Sequence, residues 1–168
     1  MDDKKELPKR KNTRLENYDY SSTGAYFITI CTSERRNYFW NDVGATIGRP
    51  QDIQLSKCGM LVYEAINNIP SIYPSLKIDH YVIMPDHIHL LLRICSDEYG
   101  RPMVAPTVSR VVNQLKGYVT KSMGVSVWQK LLYDHIIRDR EDYEKHVKYI
   151  YENPMKWYYG HNEPDDVL

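Results

Sequence analysis

Apolar positions along this chain recur with two periods, and the changes between them mark its elements. The stretch Gly24 to Thr32 (Gly-Ala-Tyr-Phe-Ile-Thr-Ile-Cys-Thr) is rich in β-branched and aromatic residues and reads as a strand. From Ser56 to Ile69 the period lengthens. Met60, Leu61, Ala65, Ile66 and Ile69 fall at helical spacing, with Pro70 expected to close the helix. Leu76 to Met84 and His87 to Ile94 read as two more strands, joined tightly through Met84-Pro85-Asp86. Thr107 is placed to cap a helix running to about Met123, with Val108, Val111, Val112, Leu115 and Val119 on one face. A fourth strand lies within 128–138, best seen at Tyr133 to Arg138. Asp139 is placed to cap a last helix, Arg140 to Asn153, ending before Pro154, with Glu141 and Asp142 in its first turn.

The order strand, helix, strand, strand, helix, strand is the βαββαβ pattern of an α+β, ferredoxin-like fold, here with an additional C-terminal helix. In that layout two helices cover one face of an antiparallel sheet, and the other face is free to carry a site. The strand His87 to Ile94 is expected to be central. Segments 41–54 and 96–106 hold glycines and prolines and read as loops. The 168 residues suit one domain: a flexible basic arm at 1–13, a core at 14–157 and an irregular tail at 158–168. No internal repeat is present.

Charge narrows the picture. Formal net charge is zero, so a nucleic-acid partner must use local patches rather than a generally basic surface. The candidates are Lys9-Arg10-Lys11 with Arg14, then Arg35-Arg36, then Lys116 and Lys121, each of a kind that is more often just a solvated face or tail. Tyrosine is over-used, 15 against 2 Phe and 3 Trp. Tyrosines stack on unpaired bases and bond phosphates, although most are expected in the core. Three cysteines without a paired spacing, Cys31, Cys58 and Cys95, imply neither a disulfide framework nor a zinc ribbon. Reduced thiols suit a cytoplasmic protein. No run reaches the roughly 20 apolar residues of a membrane span, so no membrane partner is expected.

The candidate chemistry begins at His87-Ile88-His89. Residues two apart in a strand share a face, which leaves Ile88, Leu90, Leu92 and Ile94 on the other. Two imidazoles on one face either hold a metal or are ordinary surface residues. On the last helix Tyr143, Val147 and Ile150 make an apolar stripe. Asp142, His146, Tyr149 and Asn153, at spacings of four, three and four, make a polar one. An imidazole pair with an amide oxygen is a mixed N/O set with open positions. It suits Mg²⁺ or Mn²⁺ when phosphate oxygens complete the shell. A tyrosine beside it can attack phosphorus. A phenol of pKa ~10 must lose its proton during attack. His146, one turn away, is a candidate base, the alternative being the field of the metal alone.

The His-x-His strand together with the late-helix tyrosine resembles the HUH single-tyrosine transposases, and more narrowly their REP-associated tyrosine transposase branch. The matching segments are 17–32, 81–91, 128–129 with 133–138, and 146–154 (His-Val-Lys-Tyr-Ile-Tyr-Glu-Asn-Pro), spread over about residues 14 to 157. The resemblance implies a metal-dependent enzyme that nicks single-stranded DNA beside a hairpin and transfers the strand. It implies a 5′-phosphotyrosine intermediate and a free 3′-OH, in a prokaryotic, nucleoid-associated setting. It also implies that His87, His89 and Asn153 are the metal ligands and Tyr149 the nucleophile. Tyr151 lies about 160° from Asn153 on an ideal helix and ranks below Tyr149; Tyr143 and Tyr133 are also near. Asp86 either holds a histidine in its tautomer or shapes the turn. His135 either contacts DNA or satisfies a core hydrogen bond. Arg14, Tyr18 and Tyr20 either grip the foot of a hairpin or belong to an idle arm, and Arg35, Arg36 and Lys116 are further DNA candidates. A homodimer with a shared site and a monomer both remain open. The competing readings are a non-catalytic binder of hairpin DNA or RNA, and an unrelated metal enzyme acting on small molecules in an enclosed pocket.

Overall fold

The computed structural model describes residues 19, 22–41, 53–96 and 106–162, with side chains through Trp157. Arg14, Tyr18, Tyr20, the basic arm and residues 163–168 lie outside the described residues. The elements are β1 (Gly24–Cys31), α1 (Lys57–Ile72), β2 (Leu76–Ile83), β3 (His87–Ile94), α2 (Val108–Met123), β4 (Tyr133–Ile136) and α3 (Arg140–Asn162). The strands form one sheet in the order β2-β3-β1-β4, with every neighbouring pair antiparallel. The expected α+β architecture is therefore present, with β3 and β1 at its centre.

Alternation along the central strands sorts their side chains between two cores. Tyr26, Ile28 and Ile30 of β1 and Ile88, Leu90 and Leu92 of β3 face α1 and α2, where Val62, Ile66, Val112, Leu115 and Val119 complete the main core. Phe27 and Leu91 face the opposite way and bury Ile150 of α3, with Val147 and Tyr143 beside it. The sheet thus lies between two helices on one side and α3 on the other. β3 is buried along nearly its whole length for that reason.

Local signals set the helix starts. Ser56 Oγ accepts from the Gly59 amide at 3.0 Å, Thr107 Oγ1 from Arg110 at 3.3 Å, and Asp139 Oδ1 from Asp142 at 2.8 Å. The helix ends differ from the sequence reading. α1 runs through Pro70 to Ile72, and α3 runs through Pro154 to Asn162, past the ends expected at both prolines and into the segment expected to be an irregular tail. A proline removes one donor. Pro70 lies close enough to the helix end that the Tyr73 amide still closes onto the Ile69 carbonyl at 2.9 Å. Beyond Pro154, Trp157 packs edge-on against Trp40 at 5.1 Å, and Glu152 pairs with Lys156 across the proline at 2.8 Å. Tertiary contact there outweighs the local penalty. β4 is shorter than expected because the Arg138 amide turns away from the ladder to the Asp142 carboxylate at 3.1 Å.

Gly59 marks the tightest backbone approach. A Cβ built on it would lie 2.1 Å from the Phe39 carbonyl oxygen, which cannot retreat without moving the 39–56 pairing. Gly59→Ala is expected to lower stability by about 2–3 kcal/mol, read as a reduced urea midpoint at unchanged slope.

Candidate active site

Register on the α3 side of the sheet sets the first half of the site. Thr29 of β1 stands opposite His89, and Cys31 opposite His87. Both imidazoles are buried, with ring centroids 4.6 Å apart. His87 Nδ1 lies 2.5 Å from Asp86 Oδ1. An ionised carboxylate only accepts, so Nδ1 carries the proton and Nε2 keeps its lone pair. Asp86 itself receives Arg35 Nε at 2.8 Å. Arg35 reaches it from a turn in which Glu34 and Arg35 have left-handed φ of 56° and 55°, a conformation costing of order 1–3 kcal/mol per residue. His89 Nδ1 is 2.8 Å from Thr29 Oγ1. Its Nε2 is buried and has no hydrogen-bond partner among the described residues.

Burial pushes the His89 pKa down to about 3, helped by the neighbouring charges of His87, Arg35 and His146. Burial also lowers His87, against an opposing contribution from Asp86. Both rings are therefore neutral at pH 7, the form that ligates metal. A histidine with a folded pKa below its unfolded value leaves the folded state short of protons as pH falls. Stability is thus complete above about pH 6.5 and is lost below it. His89 alone is expected to cost about 2 kcal/mol between pH 6.5 and 5, at ~1.4 kcal/mol per pH unit. Urea midpoints of the metal-free protein across that window check this, and a flat profile would contradict neutral buried rings.

α3 supplies the second half. Its apolar stripe packs on Phe27 and Leu91, Tyr143 Oη donates to Asp79 Oδ2 at 3.1 Å, and Tyr151 Oη is 3.2 Å from His80 Nδ1. This docking turns the polar stripe over the histidine pair. The Tyr149 ring lies 5.1 Å from the His89 ring, edge to face, and 5.9 Å from Phe27, while 45% of the residue stays exposed. The amide Nδ2 of Asn153 is buried without a partner among the described residues. Half a turn of that amide puts Oδ1 in its place. Two imidazole lone pairs and an amide oxygen around one cleft fit a divalent cation.

Arg35, His87, His89, His146, Tyr149 and Asn153 line one open cleft of about 820 Å³. Asp86 stands behind it, bonded to His87. Arg36 is paired with Glu34 and does not line the cleft. Lys116 donates to the carbonyls of Gln129 at 2.7 Å and Lys130 at 3.5 Å, and burial lowers its pKa, so its ammonium clasps backbone. His135 bonds the Asp142 carboxylate at 2.8 Å. Tyr151 and Tyr143 are held at His80 and Asp79, whereas exposed Tyr133 lines the cleft. The sequence reading missed Lys145, Lys148 and Lys156 on the rim. Their spacing on the helix beside Tyr149 was the available signal. Thr29 enters through strand register alone.

Arg35→Ala removes the cation that orients Asp86. With a divalent cation held by His87, Mn²⁺ binding is expected to weaken about ten-fold, the usual effect of losing a partner behind a ligand. Titration followed by Mn²⁺ electron paramagnetic resonance would read this, and unchanged affinity would remove Arg35 from the site.

No protein-family model matches the chain. It is 33% identical to an uncharacterized protein of Haemophilus influenzae, over 88% of this chain and 89% of that one. It is 26% identical to a provisionally named REP-associated tyrosine transposase of the same organism, over 84% and 77%. Against the REP-associated tyrosine transposase of Escherichia coli K12 the identity is 31% over 81 residues, 48% of this chain and 45% of the relative. A solved REP-associated tyrosine transposase bound to a REP hairpin superposes with a TM-score of 0.57 at 23% identity, over 86% of this chain and 74% of that one, which shows a shared fold. No helix among the described residues is long and apolar enough to cross a membrane.

Proposed function

We propose that this chain, a member of the REP-associated tyrosine transposase family, nicks single-stranded DNA beside a hairpin and transfers the strand through Tyr149. The observation that supports the reading best is the contact of the Tyr149 ring with His89 at 5.1 Å, beside a buried imidazole nitrogen with no partner among the described residues. His87 Nε2, His89 Nε2 and Asn153 Oδ1 would hold Mg²⁺ or Mn²⁺. When bound, such an ion polarises a phosphodiester oxygen.

The Tyr149 hydroxyl attacks phosphorus, the bond to the 3′ oxygen breaks, and a 5′-phosphotyrosine and a free 3′-OH result. His146 Nδ1 lies 2.7 Å from the Asp142 carbonyl and must donate to it, so in the neutral ring Nε2 is the acceptor. His146 Nε2 takes the phenol proton and returns it to the departing 3′ oxygen. Attack by a 3′-OH on the phosphotyrosine reverses the sequence, rejoining DNA without an external energy source. Lys145, Lys148 and Lys156 on the rim attract the backbone of the strand, and Tyr133 offers a ring for stacking. One chain supplies every residue used here, so the reading needs no second copy.

The test is incubation of labelled single-stranded hairpin DNA with the protein in Mn²⁺ or in EDTA. A protease-sensitive covalent adduct, formed only with metal, is expected. Binding without cleavage across several hairpin sequences would leave a hairpin-binding module instead.

A further inference from the structure

We propose that His135, Asp142 and His146 form a second cation site, suited to a zinc-class ion and separate from the His87–His89 pair. His135 projects from β4. Asp142 and His146 are one turn apart on α3. One ligand atom from each residue falls in a group whose members all lie within 4.8 Å of one another. His135 Nε2 is 2.8 Å from Asp142 Oδ2, and His146 Nδ1 is 3.2 Å from Asp142 Oδ1. Tetrahedral zinc, with ligand bonds near 2.0–2.2 Å, separates neighbouring donors by about 3.3 Å. The two contacts use the two oxygens of Asp142, so a carboxylate chelating through both brings each imidazole to that distance with shifts of about half an ångström or less. Two imidazoles and one carboxylate are a borderline donor set that favours Zn²⁺ or Co²⁺ over Mg²⁺, which takes oxygen ligands in an octahedron.

The rings and the carboxylate are held in place before any ion arrives, and the ion would displace the proton that His146 Nδ1 shares with the Asp142 carbonyl at 2.7 Å. The His146 ring lies between Phe27, at 4.5 Å, and His135, stacked at 4.8 Å and 21°. Asp142 Oδ2 also accepts the Arg138 amide at 3.1 Å. Burial pushes the Asp142 carboxyl up, but the hydrogen bonds from His135 and Arg138 outweigh it and keep the group ionised at neutral pH. All three side chains are partly exposed, which leaves room for water as a fourth ligand.

Occupancy has a consequence that rests on the function proposed above. An ion on His146 Nδ1 moves the ring's single proton to Nε2. His146 then presents N–H rather than a lone pair to the cleft and cannot accept the Tyr149 proton. A zinc-class ion at this site therefore represses nicking.

The binding test involves no DNA, so its outcome is independent of the nicking reading. EDTA-stripped full-length protein is titrated with Co²⁺ and followed by visible absorption and equilibrium dialysis. Wild type is expected to take two equivalents, and His135→Ala and Asp142→Asn one each. The two variants lie on different elements, and circular dichroism verifies that each is folded. Equal stoichiometry in wild type and in both folded variants, whatever number wild type takes, would overturn the site. In excess Mg²⁺, added Zn²⁺ is expected to slow wild-type adduct formation at least about ten-fold more than that of His135→Ala. Equal slowing of the two proteins would overturn the repression, because it would place the inhibitory ion at the His87–His89 pair.

Discussion

Tyr149→Phe is expected to lower adduct formation at least about 10³-fold while hairpin affinity stays within about two-fold. That loss corresponds to about 4 kcal/mol or more of transition-state stabilisation. The substitution isolates the hydroxyl. The ring contacts of Tyr149 with His89 and Phe27 are edge-on and involve carbon, so phenylalanine retains them. At 45% exposure the residue adds little to the core, and the fold is expected to melt unchanged. Gel resolution of the covalent species and thermal melting of both proteins check the two halves of this statement. An adduct that persists in the variant would move the nucleophile to Tyr133, which also lines the cleft. Tyr151 is a poorer substitute because its hydroxyl is engaged with His80.

His89→Leu is expected to separate stability from function. Divalent-cation binding at the His pair should fall at least about 100-fold, and nicking should fall with it, because a bidentate imidazole pair becomes a single ligand. The metal-free protein should be no less stable and should gain up to about 1 kcal/mol. The wild-type ring buries Nε2 without a partner among the described residues, a cost that an apolar side chain of similar reach removes. Thr29 loses its partner at Nδ1, but the residue is partly exposed and water is expected to replace the bond. The loss of stability between pH 6.5 and 5 should shrink as well, since its main titrating group is gone. Urea midpoints with and without Mn²⁺ measure all three effects. A metal-free variant much less stable than wild type would show that the His89–Thr29 bond holds the sheet together.

A lysine seen in a sequence can bind phosphate or bind its own backbone, and Lys116 shows why the distinction needs a fold. Its ammonium clasps two carbonyls of 129–130 across the end of β1. Arg35 shows the converse. Its grip on Asp86 depends on two consecutive left-handed residues, and neither Glu34 nor Arg35 advertises that conformation. His135 is ambiguous for the same reason, and its partner Asp142 lies on the next element, in the first turn of α3.

The period of the side chains determined most of the architecture in advance. Alternation in β3 put His87 and His89 on one face because successive residues of a strand point oppositely, and that holds in any fold. The polar stripe of α3 followed equally from 3.6 residues per turn. The caps at Thr107 and Asp139 are local hydrogen bonds and were legible as such. Long-range burial decided the rest. The partner opposite each histidine is a matter of strand register. Packing of Ile150 on Phe27 and Leu91 brings Tyr149 over His89. A contact between Trp157 and Trp40 carries α3 past a proline that local propensity would have made its end. Short-range geometry repeats along the chain and can be read from it, whereas the docking of one surface on another is settled by apolar area distant in sequence.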